Sequence, residues 1–116
     1  MPVAQYGVRP DGTEKSFGYF GPLKTKDKRV MTELSVGVSI GGKETQIPTV
    51  TPAMSKADAD WLLEGNEPTR EIVDKAVKFA LGRMNSGLPL YATKEEEGLY
   101  SFGKDGNVVA RPRKGR

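Results

Sequence analysis

The sequence predicts a single small α+β domain in which an antiparallel β-hairpin, or small sheet, is packed by two helices. Between Val30 and Ile40, β-branched and aliphatic residues stand at every second position, which is the spacing of a half-buried strand. Gly41-Gly42 follows, and two adjacent glycines suit a tight hairpin turn. Two later segments space their apolar residues by three and four positions, as amphipathic helices do. A chain of 116 residues is long enough for one hydrophobic core.

An irregular N-terminal arm, residues 1–29, is predicted to precede the hairpin within a domain that spans residues 1–110. The arm is rich in glycine and proline, and its Phe17, Tyr19 and Phe20 are too apolar for a solvated linker. We expect the arm to fold across the hairpin and to supply these aromatic side chains to the core. Two alternatives stay open for them: a platform on which bases or sugars stack, and a surface that binds a partner.

A basic cluster of Lys24, Lys26, Lys28 and Arg29, interrupted by Asp27, lies just before the hairpin. We interpret this cluster as a solvated turn, because charges normally occupy the loops that flank a hairpin and discourage pairing at the sheet edge. Contact with phosphate groups is the alternative interpretation.

The main hairpin is predicted over residues 30–50. Pro48 cannot donate a ladder hydrogen bond, so the return strand that begins at Lys43 is expected to end there or to lie at a free edge. The alternation places Glu33 on the solvent-facing side of the first strand. We expect a neighbouring chain to bind at the exposed edge near Glu33, Lys43 and Glu44.

The first helix is predicted to open after Ser55, which is a good N-cap residue, with Asp58 completing a capping box. Its expected end is Gly65-Asn66, where glycine suits the residue after a helix. We expect Trp61, the single tryptophan, to anchor the core rather than to stack on a ligand.

The second helix is predicted from near Pro68 to about Asn85. Proline is pre-set for a first helical turn, and Ser86-Gly87 is a stop signal. Because the connection between the two helices is short, we expect them to fold back on each other and to pack on the apolar side of the sheet.

A second, short hairpin is predicted around Asp105-Gly106, followed by a basic tail. A two-stranded hairpin is marginal on its own, so we expect this one to dock on the main sheet or to pair with a partner chain. The tail, residues 111–116, is expected to be disordered when nothing is bound. Its cations are candidates for contact with nucleic acid: Arg111, Arg113, Lys114 and Arg116. A solubilising tail that binds nothing is the other interpretation.

The absence of histidine and cysteine excludes the Ser-His-Asp and Cys-His nucleophile arrangements and the usual zinc ligand sets. The carboxylates lie in predicted turns or on solvent-facing sides, and their spacing places no two of them in an apolar cleft. Neither glycine pattern of a nucleotide-binding loop is present. We therefore expect no enzymatic activity, no catalytic residue, no cofactor and no metal site. No apolar run approaches the length of a membrane span.

Several segments resemble a small virion-associated domain of tailed bacteriophages. These segments are Gly21-Pro22-Leu23-Lys24, Val30 to Val38, Gly42-Lys43-Glu44, Ile47-Pro48-Thr49 and the helix from Lys75-Ala76 to Arg83. The similarity covers roughly residues 7–92, and the chain from Gly98 to Arg116 fits it less well. Such domains occur in short reading frames among virion genes and at times inside long proteins that are delivered with the DNA.

The resemblance implies a non-enzymatic structural protein of the virion that acts through protein–protein contacts in the capsid, the tail or an internal ejected component. Its partners would be phage structural proteins or further copies of itself, and it would be made in the host cytoplasm. No catalytic residues are assigned to that domain, so none are carried over. The alternative is a small phage-encoded nucleic-acid-binding protein or an inhibitor of a host enzyme. The residues expected to contact a partner are Phe17, Tyr19, Phe20, Glu33, Lys43 and Glu44.

Overall fold

The computed structural model of the chain describes residues 8, 9 and 12–110. The elements in that part are β1 Leu23–Lys24, β2 Val30–Met31, β3 Ser35–Ile40, β4 Lys43–Pro48, α1 Lys56–Leu63, α2 Arg70–Asn85, β5 Tyr100–Phe102 and β6 Val108–Ala110. The strands pair as antiparallel two-stranded sheets, β1 with β2, β3 with β4 and β5 with β6. The predicted α+β class is confirmed.

The main hairpin, β3–β4, forms where the alternation and the Gly41-Gly42 pair predict it. Val36 lies opposite Ile47 and Ile40 lies opposite Lys43, so the two glycines alone make the turn. Their φ angles are 59° and 79°, and the twist of a two-residue hairpin turn requires positive values at both positions. The register is therefore set by the turn as well as by the apolar face.

The continuous strand predicted from Val30 to Ile40 is wrong in its first half. Val30–Met31 forms β2 and pairs with β1, and the chain then leaves the ladder until β3 begins at Ser35. Glu33, predicted to face solvent, is only 3% exposed. The strand is interrupted because the Glu33 carboxylate turns inward to accept hydrogen bonds from the arm, and such charge-assisted bonds outweigh local alternation.

Helix α1 begins with the predicted capping box. The Ser55 Oγ accepts a hydrogen bond from the Asp58 backbone N–H at 3.1 Å, and the Asp58 carboxylate accepts one from the Ser55 backbone N–H at 3.1 Å. Two backbone donors at the helix start are thereby satisfied by side chains whose identity is visible in the sequence.

Helix α2 begins after its N-cap Thr69, close to the predicted start at Pro68. At its end, the Leu88 backbone N–H donates to the Arg83 carbonyl at 2.8 Å, and the Gly87 N–H donates to the Met84 carbonyl at 3.1 Å. This pair of bonds is the Schellman arrangement, and it confirms the predicted stop after Asn85.

The interior consists of two clusters, which we call the hairpin cluster and the aromatic cluster. In the hairpin cluster, α2 covers the apolar face of β3–β4 with the buried residues Ile47, Ala76 and Ala80. The buried residues of the aromatic cluster are Tyr19, Phe20, Val50, Met54, Ala59, Leu62 and Ile72. The prediction that both helices pack on the main sheet is therefore wrong for α1, because its Ala59 and Leu62 belong to the aromatic cluster.

The second hairpin docks on the arm and not on the main sheet, which corrects one of the two predicted arrangements. The Tyr100 N–H donates to the Tyr19 carbonyl at 3.1 Å, and the Phe102 ring stacks on the Phe20 ring with centroids 4.7 Å apart. At the turn, the Gly106 carbonyl accepts from the Lys56 N–H at 3.3 Å. The arm thus supplies the surface that this marginal hairpin needs.

Trp61 does not anchor the core. Its side chain is 43% exposed, and its indole Nε1–H donates to the Glu67 carbonyl at 2.8 Å. The neighbouring Ala59 and Leu62 occupy the buried side of α1, so Trp61 lies on the more exposed side. There its hydrogen bond links α1 to the segment that connects the two helices.

Candidate binding sites

Glu33 is the centre of a polar clamp that holds the arm. The Arg9 guanidinium donates to both carboxylate oxygens, at 2.7 Å from Nε and 3.2 Å from the terminal nitrogen. Ser16 adds its backbone N–H at 3.2 Å and its hydroxyl at 3.1 Å. The Arg9 side chain also lies 4.0 Å above the Tyr91 ring. Glu33 is therefore committed to contacts within the chain, and a partner does not reach its buried carboxylate.

The three predicted arm aromatics have different environments. Tyr19 and Phe20 are buried in the aromatic cluster, as the core interpretation predicts, whereas Phe17 is 38% exposed. The Tyr19 hydroxyl donates to the Leu90 carbonyl at 3.0 Å, and burial raises the pKa of this phenol well above its ordinary value. Among these residues, Phe17 alone retains a substantial surface for a partner.

Lys43 and Glu44 lie exposed at the start of β4, next to the hairpin turn. The Glu44 side chain reaches across the sheet, because a Cβ built at Gly37 would lie 2.5 Å from Glu44 Oε2. The two residues thus mark the accessible end and outer face of the main hairpin, which agrees with their predicted position.

The predicted nucleic-acid contacts Arg111, Arg113, Lys114 and Arg116 lie outside the residues that the structure describes. The other basic cluster lies within it, in the turn that joins β1 and β2. There Arg29 pairs with Asp27 at 2.7 Å, and Thr25 donates a short hydrogen bond to the same carboxylate. The hydrogen bonds from Thr25 and Arg29 lower the pKa of Asp27 to about 2.

A groove of about 520 Å³ lies between the β1–β2 hairpin and the C-terminal end of α1. Its apolar residues are Val30, Met31, Leu34, Leu62 and Leu63. A backbone hydrogen bond of 2.8 Å from the Lys26 N–H to the Leu63 carbonyl joins the two elements that line the groove. A volume of this size falls in the range of small-molecule sites in proteins.

Thr32 lies on the wall of this groove and contains an unusual polar atom. The residue is 2% exposed, and its buried Oγ1 has no hydrogen-bond partner in the described part of the chain. An unsatisfied buried hydroxyl costs about 1–3 kcal/mol, so such a group calls for a specific explanation. The groove is not predicted from the sequence, where its one signal is the basic cluster that contributes Lys26 and Arg29 to the lining.

A second buried ion pair lies beside the aromatic cluster. Arg83 donates to the two carboxylate oxygens of Glu96 at 2.6 Å and 2.9 Å, and to the Pro89 carbonyl at 2.6 Å. Glu96 also accepts from the Thr93 N–H at 2.9 Å. The hydrogen bond from Arg83 lowers the pKa of Glu96, since it stabilises the charged carboxylate over the opposing effect of burial.

Asp58 is held in the same manner between the two helices. Lys75 approaches its carboxylate to 2.7 Å. Burial raises the pKa of Asp58, but the hydrogen bonds from Lys75 and Ser55 more than offset it and leave the pKa below its ordinary value. The partly buried acids Asp58 and Glu96 are thus charged structural groups at neutral pH, which makes them poor proton donors.

Over residues 8, 9 and 12–110, no group of three or more acidic, histidine or cysteine side chains is arranged to hold a metal ion. No helix in the described ranges is long and apolar enough to cross a bilayer. Comparison of the chain with protein-family models, with curated protein sequences and with solved structures finds no match. Function must therefore be inferred from the geometry of the chain itself.

Proposed function

We propose that this chain is a non-enzymatic, virion-associated structural protein that acts through protein–protein contacts. The observation that carries the proposal is the isolation of the main hairpin: in the described part of the chain, β3 and β4 pair only with each other. Each strand therefore leaves one side of its backbone without a neighbouring strand. Open strand edges are templates for pairing with a segment of another chain.

The hairpin is held rigidly enough to serve as such a template. Helix α2 covers its apolar face through Ile47, Ala76 and Ala80, and the Gly41-Gly42 turn sets its register. A preorganised edge loses little conformational entropy when a partner strand is added, which favours binding. The exposed Lys43 and Glu44 beside the edge would select the partner by charge.

The assignment to a virion is supported by the resemblance of residues 7–92 to phage virion-associated domains. Two of the resembling segments, Val30 to Val38 and Ile47-Pro48-Thr49, include most of β3 and the end of β4. Part of the resemblance thus lies in the element proposed to bind the partner.

Photo-cross-linking in assembling particles tests the proposal. p-Benzoylphenylalanine replaces the exposed Ser39 of β3, and the matched control carries it at the exposed Lys104 of the second hairpin. We expect mass spectrometry of purified particles to find the chain at stoichiometric copy number, cross-linked from Ser39 to a structural protein or to a second copy. Absence from particles would refute the virion assignment, and cross-links from the Lys104 position alone would refute binding at the β3–β4 edge.

The second candidate is a nucleic-acid-binding protein, favoured by the clustering of four cations, Arg111, Arg113, Lys114 and Arg116, in the last six residues. Deletion of residues 111–116 distinguishes the two functions. A nucleic-acid-binding role predicts that the deletion abolishes a salt-sensitive affinity for DNA, measured by fluorescence anisotropy between low and physiological salt. A structural role predicts that particle incorporation is unchanged by the same deletion.

A further inference from the structure

We infer that the outer edge of β3, and not that of β4, receives an extended segment of a partner protein with a lysine or arginine opposite Gly37. The inference rests on the proposed function, because it specifies which strand edge makes the protein–protein contact and what chemistry the partner supplies. Three features of the main hairpin carry it: the direction of the free backbone groups, the proline in β4 and the position of the Glu44 carboxylate.

The hydrogen-bond pattern of the main hairpin determines which backbone groups point outward. Just beyond the paired strands, the Thr49 N–H donates to the Leu34 carbonyl at 2.8 Å, so these two residues form a hydrogen-bonded pair. Hydrogen-bonded and non-hydrogen-bonded pairs alternate along an antiparallel ladder, and the non-hydrogen-bonded pairs direct their N–H and carbonyl groups away from the hairpin. The outward-directed pairs are Ser35 with Pro48, Gly37 with Gln46 and Ser39 with Glu44.

The two outer edges are not equivalent, because Pro48 interrupts only one of them. Proline has no N–H, so the outer edge of β4 lacks a donor at this buried position. On β3, the outward positions Gly37 and Ser39 are exposed, and outside the hairpin no described residue bonds to their backbone groups. Ser35 is half-buried, and its hydroxyl shares a hydrogen bond of 2.7 Å with the Tyr91 hydroxyl. The accessible edge is therefore the part of β3 around Gly37 and Ser39.

The Glu44 carboxylate lies over Gly37 on the solvent-facing side of the hairpin. A Cβ built at Gly37 would lie 2.5 Å from Glu44 Oε2 and 2.9 Å from Gln46 Nε2, so both side chains reach across from β4 into the space that the glycine leaves. Within the described ranges no ion pair joins Glu44 to another residue, and its neighbour Lys43 projects to the opposite face of the hairpin. An unmatched negative charge therefore lies beside the accessible edge.

The position of Glu44 selects a cationic residue in the partner. Antiparallel pairing is the more stable arrangement per residue, and in it the residue opposite Gly37 projects its side chain to the side where the Glu44 carboxylate lies. A lysine or arginine there would form an ion pair, whereas a second copy of β3 paired about Gly37 would bring two Glu44 carboxylates toward each other. Residues next to the cation face the half-buried Val36 and Val38, which favours apolar side chains. The occupant is therefore a segment of a different protein in which apolar residues flank a basic one.

The test is amide hydrogen exchange of the full chain, followed by NMR in the presence of peptide probes. The probes are Val-Thr-Val-Lys-Val-Thr-Val, its variant with a central glutamate, and a copy of the lysine peptide N-methylated at the lysine and both threonines. Each is kept below the concentration at which it self-associates. We expect the lysine peptide to slow exchange at Gly37 and Ser39, the glutamate peptide to bind about fivefold more weakly, and the N-methylated peptide to give no protection.

Four results would overturn the inference. They are no protection by the lysine peptide, equal affinity for the lysine and glutamate peptides, protection at Glu44 and Gln46 in place of Gly37 and Ser39, and protection of Gly37 that rises with chain concentration when no peptide is present. The last result would identify a second copy as the occupant.

Ser39→Pro tests the edge by removing one outward donor. Because Ser39 belongs to a non-hydrogen-bonded pair, the substitution removes no bond of the hairpin itself. We expect the lysine peptide to lose its protection of Gly37, while the inward amides of Val38 and Thr45 stay protected as they are in the unaltered chain. Undiminished binding of the lysine peptide to Ser39→Pro would contradict pairing at β3, and the N-methylated peptide gives the same information if this variant does not fold.

Glu44→Lys tests the chemistry of the partner. We expect this variant to reverse the preference, so that the glutamate peptide binds about fivefold more tightly than the lysine peptide. The control is Glu64→Lys, the same change of charge at the exposed C-cap of α1, which should leave the preference for lysine unchanged. A preference for lysine that persists in Glu44→Lys would refute the role of this carboxylate.

Failure of this inference and failure of the proposed function give different results. Protection at Glu44 and Gln46 would move the contact to β4 and leave the virion assignment intact. Absence of the chain from purified particles would refute the virion assignment and leave unchanged which edge pairs with the peptides.

Discussion

The hairpin cluster and the aromatic cluster are built from different kinds of sequence information. In the hairpin cluster, a regular helix covers a regular two-stranded sheet, and the buried side chains repeat at the spacings of those elements. In the aromatic cluster, irregular chain from the arm contacts residues far away in the sequence, such as Tyr19 with Phe79 and Phe20 with Phe102. Two ion pairs with little exposure, Arg9 with Glu33 and Arg83 with Glu96, accompany this irregular chain.

The difference indicates what holds glycine-rich chain in place. Regular elements satisfy their own backbone groups, so the hairpin cluster needs little beyond apolar contact. Residues 15–22 of the arm lie outside any such ladder, and side chains bind part of their backbone: Glu33 accepts from Ser16 N–H, and Glu97 accepts from Phe17 N–H at 2.8 Å. We expect the aromatic cluster to respond strongly to single polar or glycine changes, and the hairpin cluster to respond weakly to changes of the same type.

The largest expected effect comes from Arg83→Met. Arg83 is 6% exposed, and its removal leaves the Glu96 carboxylate partly buried without its cation. We expect a loss of about 3–5 kcal/mol in the free energy of unfolding, measured by urea denaturation. Lys56→Met, which breaks an ion pair with Asp60 whose side chains are about half exposed, is the control and should cost no more than about 0.5 kcal/mol. Equal losses in the two variants would contradict a structural role for the buried pair.

The same substitution can be made in both regions, as Gly18→Ala in the arm and Gly41→Ala in the turn of the main hairpin. Both glycines have positive φ, 81° and 59°, so alanine is strained at each by about 1–2 kcal/mol. At Gly18, the new methyl would also lie 2.0 Å from the Thr32 carbonyl oxygen, whereas at Gly41 it would meet open space. We expect Gly18→Ala to lower the free energy of unfolding by about 2–5 kcal/mol and Gly41→Ala to lower it only by the strain of about 1–2 kcal/mol. Thermal unfolding measures both losses. Similar losses would show that the arm can shift away from the Thr32 backbone.

Acid should weaken the aromatic cluster through Glu96. The pKa of this group is lowered from 4.5 in the folded chain, chiefly by the hydrogen bond from Arg83. A depressed folded-state pKa contributes stability that is fully present above the unfolded pKa and is lost as the pH falls through the folded value. Stability should therefore decline as the pH is lowered from about 4.5, and Glu96→Gln should be less stable at pH 7 but lose less on acidification. Parallel pH profiles of the two proteins would contradict this prediction.

The smallest effect is expected for a purely local interaction. Ser55→Ala removes the N-cap hydroxyl of α1, which accepts from Asp58 N–H at 3.1 Å, and should cost about 1 kcal/mol. Ser55→Asp, which keeps a cap acceptor, should restore most of the loss in a urea titration. A loss as large as that of Arg83→Met would mean that the α1 start is coupled to the aromatic cluster through the Lys56–Gly106 hydrogen bond.

Sequence alone predicted the elements whose determinants are close together in the chain. The Gly41-Gly42 turn, the capping box of Ser55 and Asp58, the stop at Gly87 and the short hairpin around Gly106 each depend on neighbouring residues, and each is confirmed. Each of these features depends on the backbone conformation of a few residues and on hydrogen bonds to nearby backbone groups. Both are determined largely by the local residue types.

Tertiary structure decided the rest. Glu33 occupies a solvent-side position in the alternation, yet hydrogen bonds from Arg9 and Ser16 hold its carboxylate inside, and the predicted strand is interrupted there. Trp61 shows the converse, since a side chain with a large apolar surface stays outside when smaller neighbours fill the buried face. Charge pairing and packing volume depend on residues brought together across the fold, so their outcome cannot be derived from local spacing.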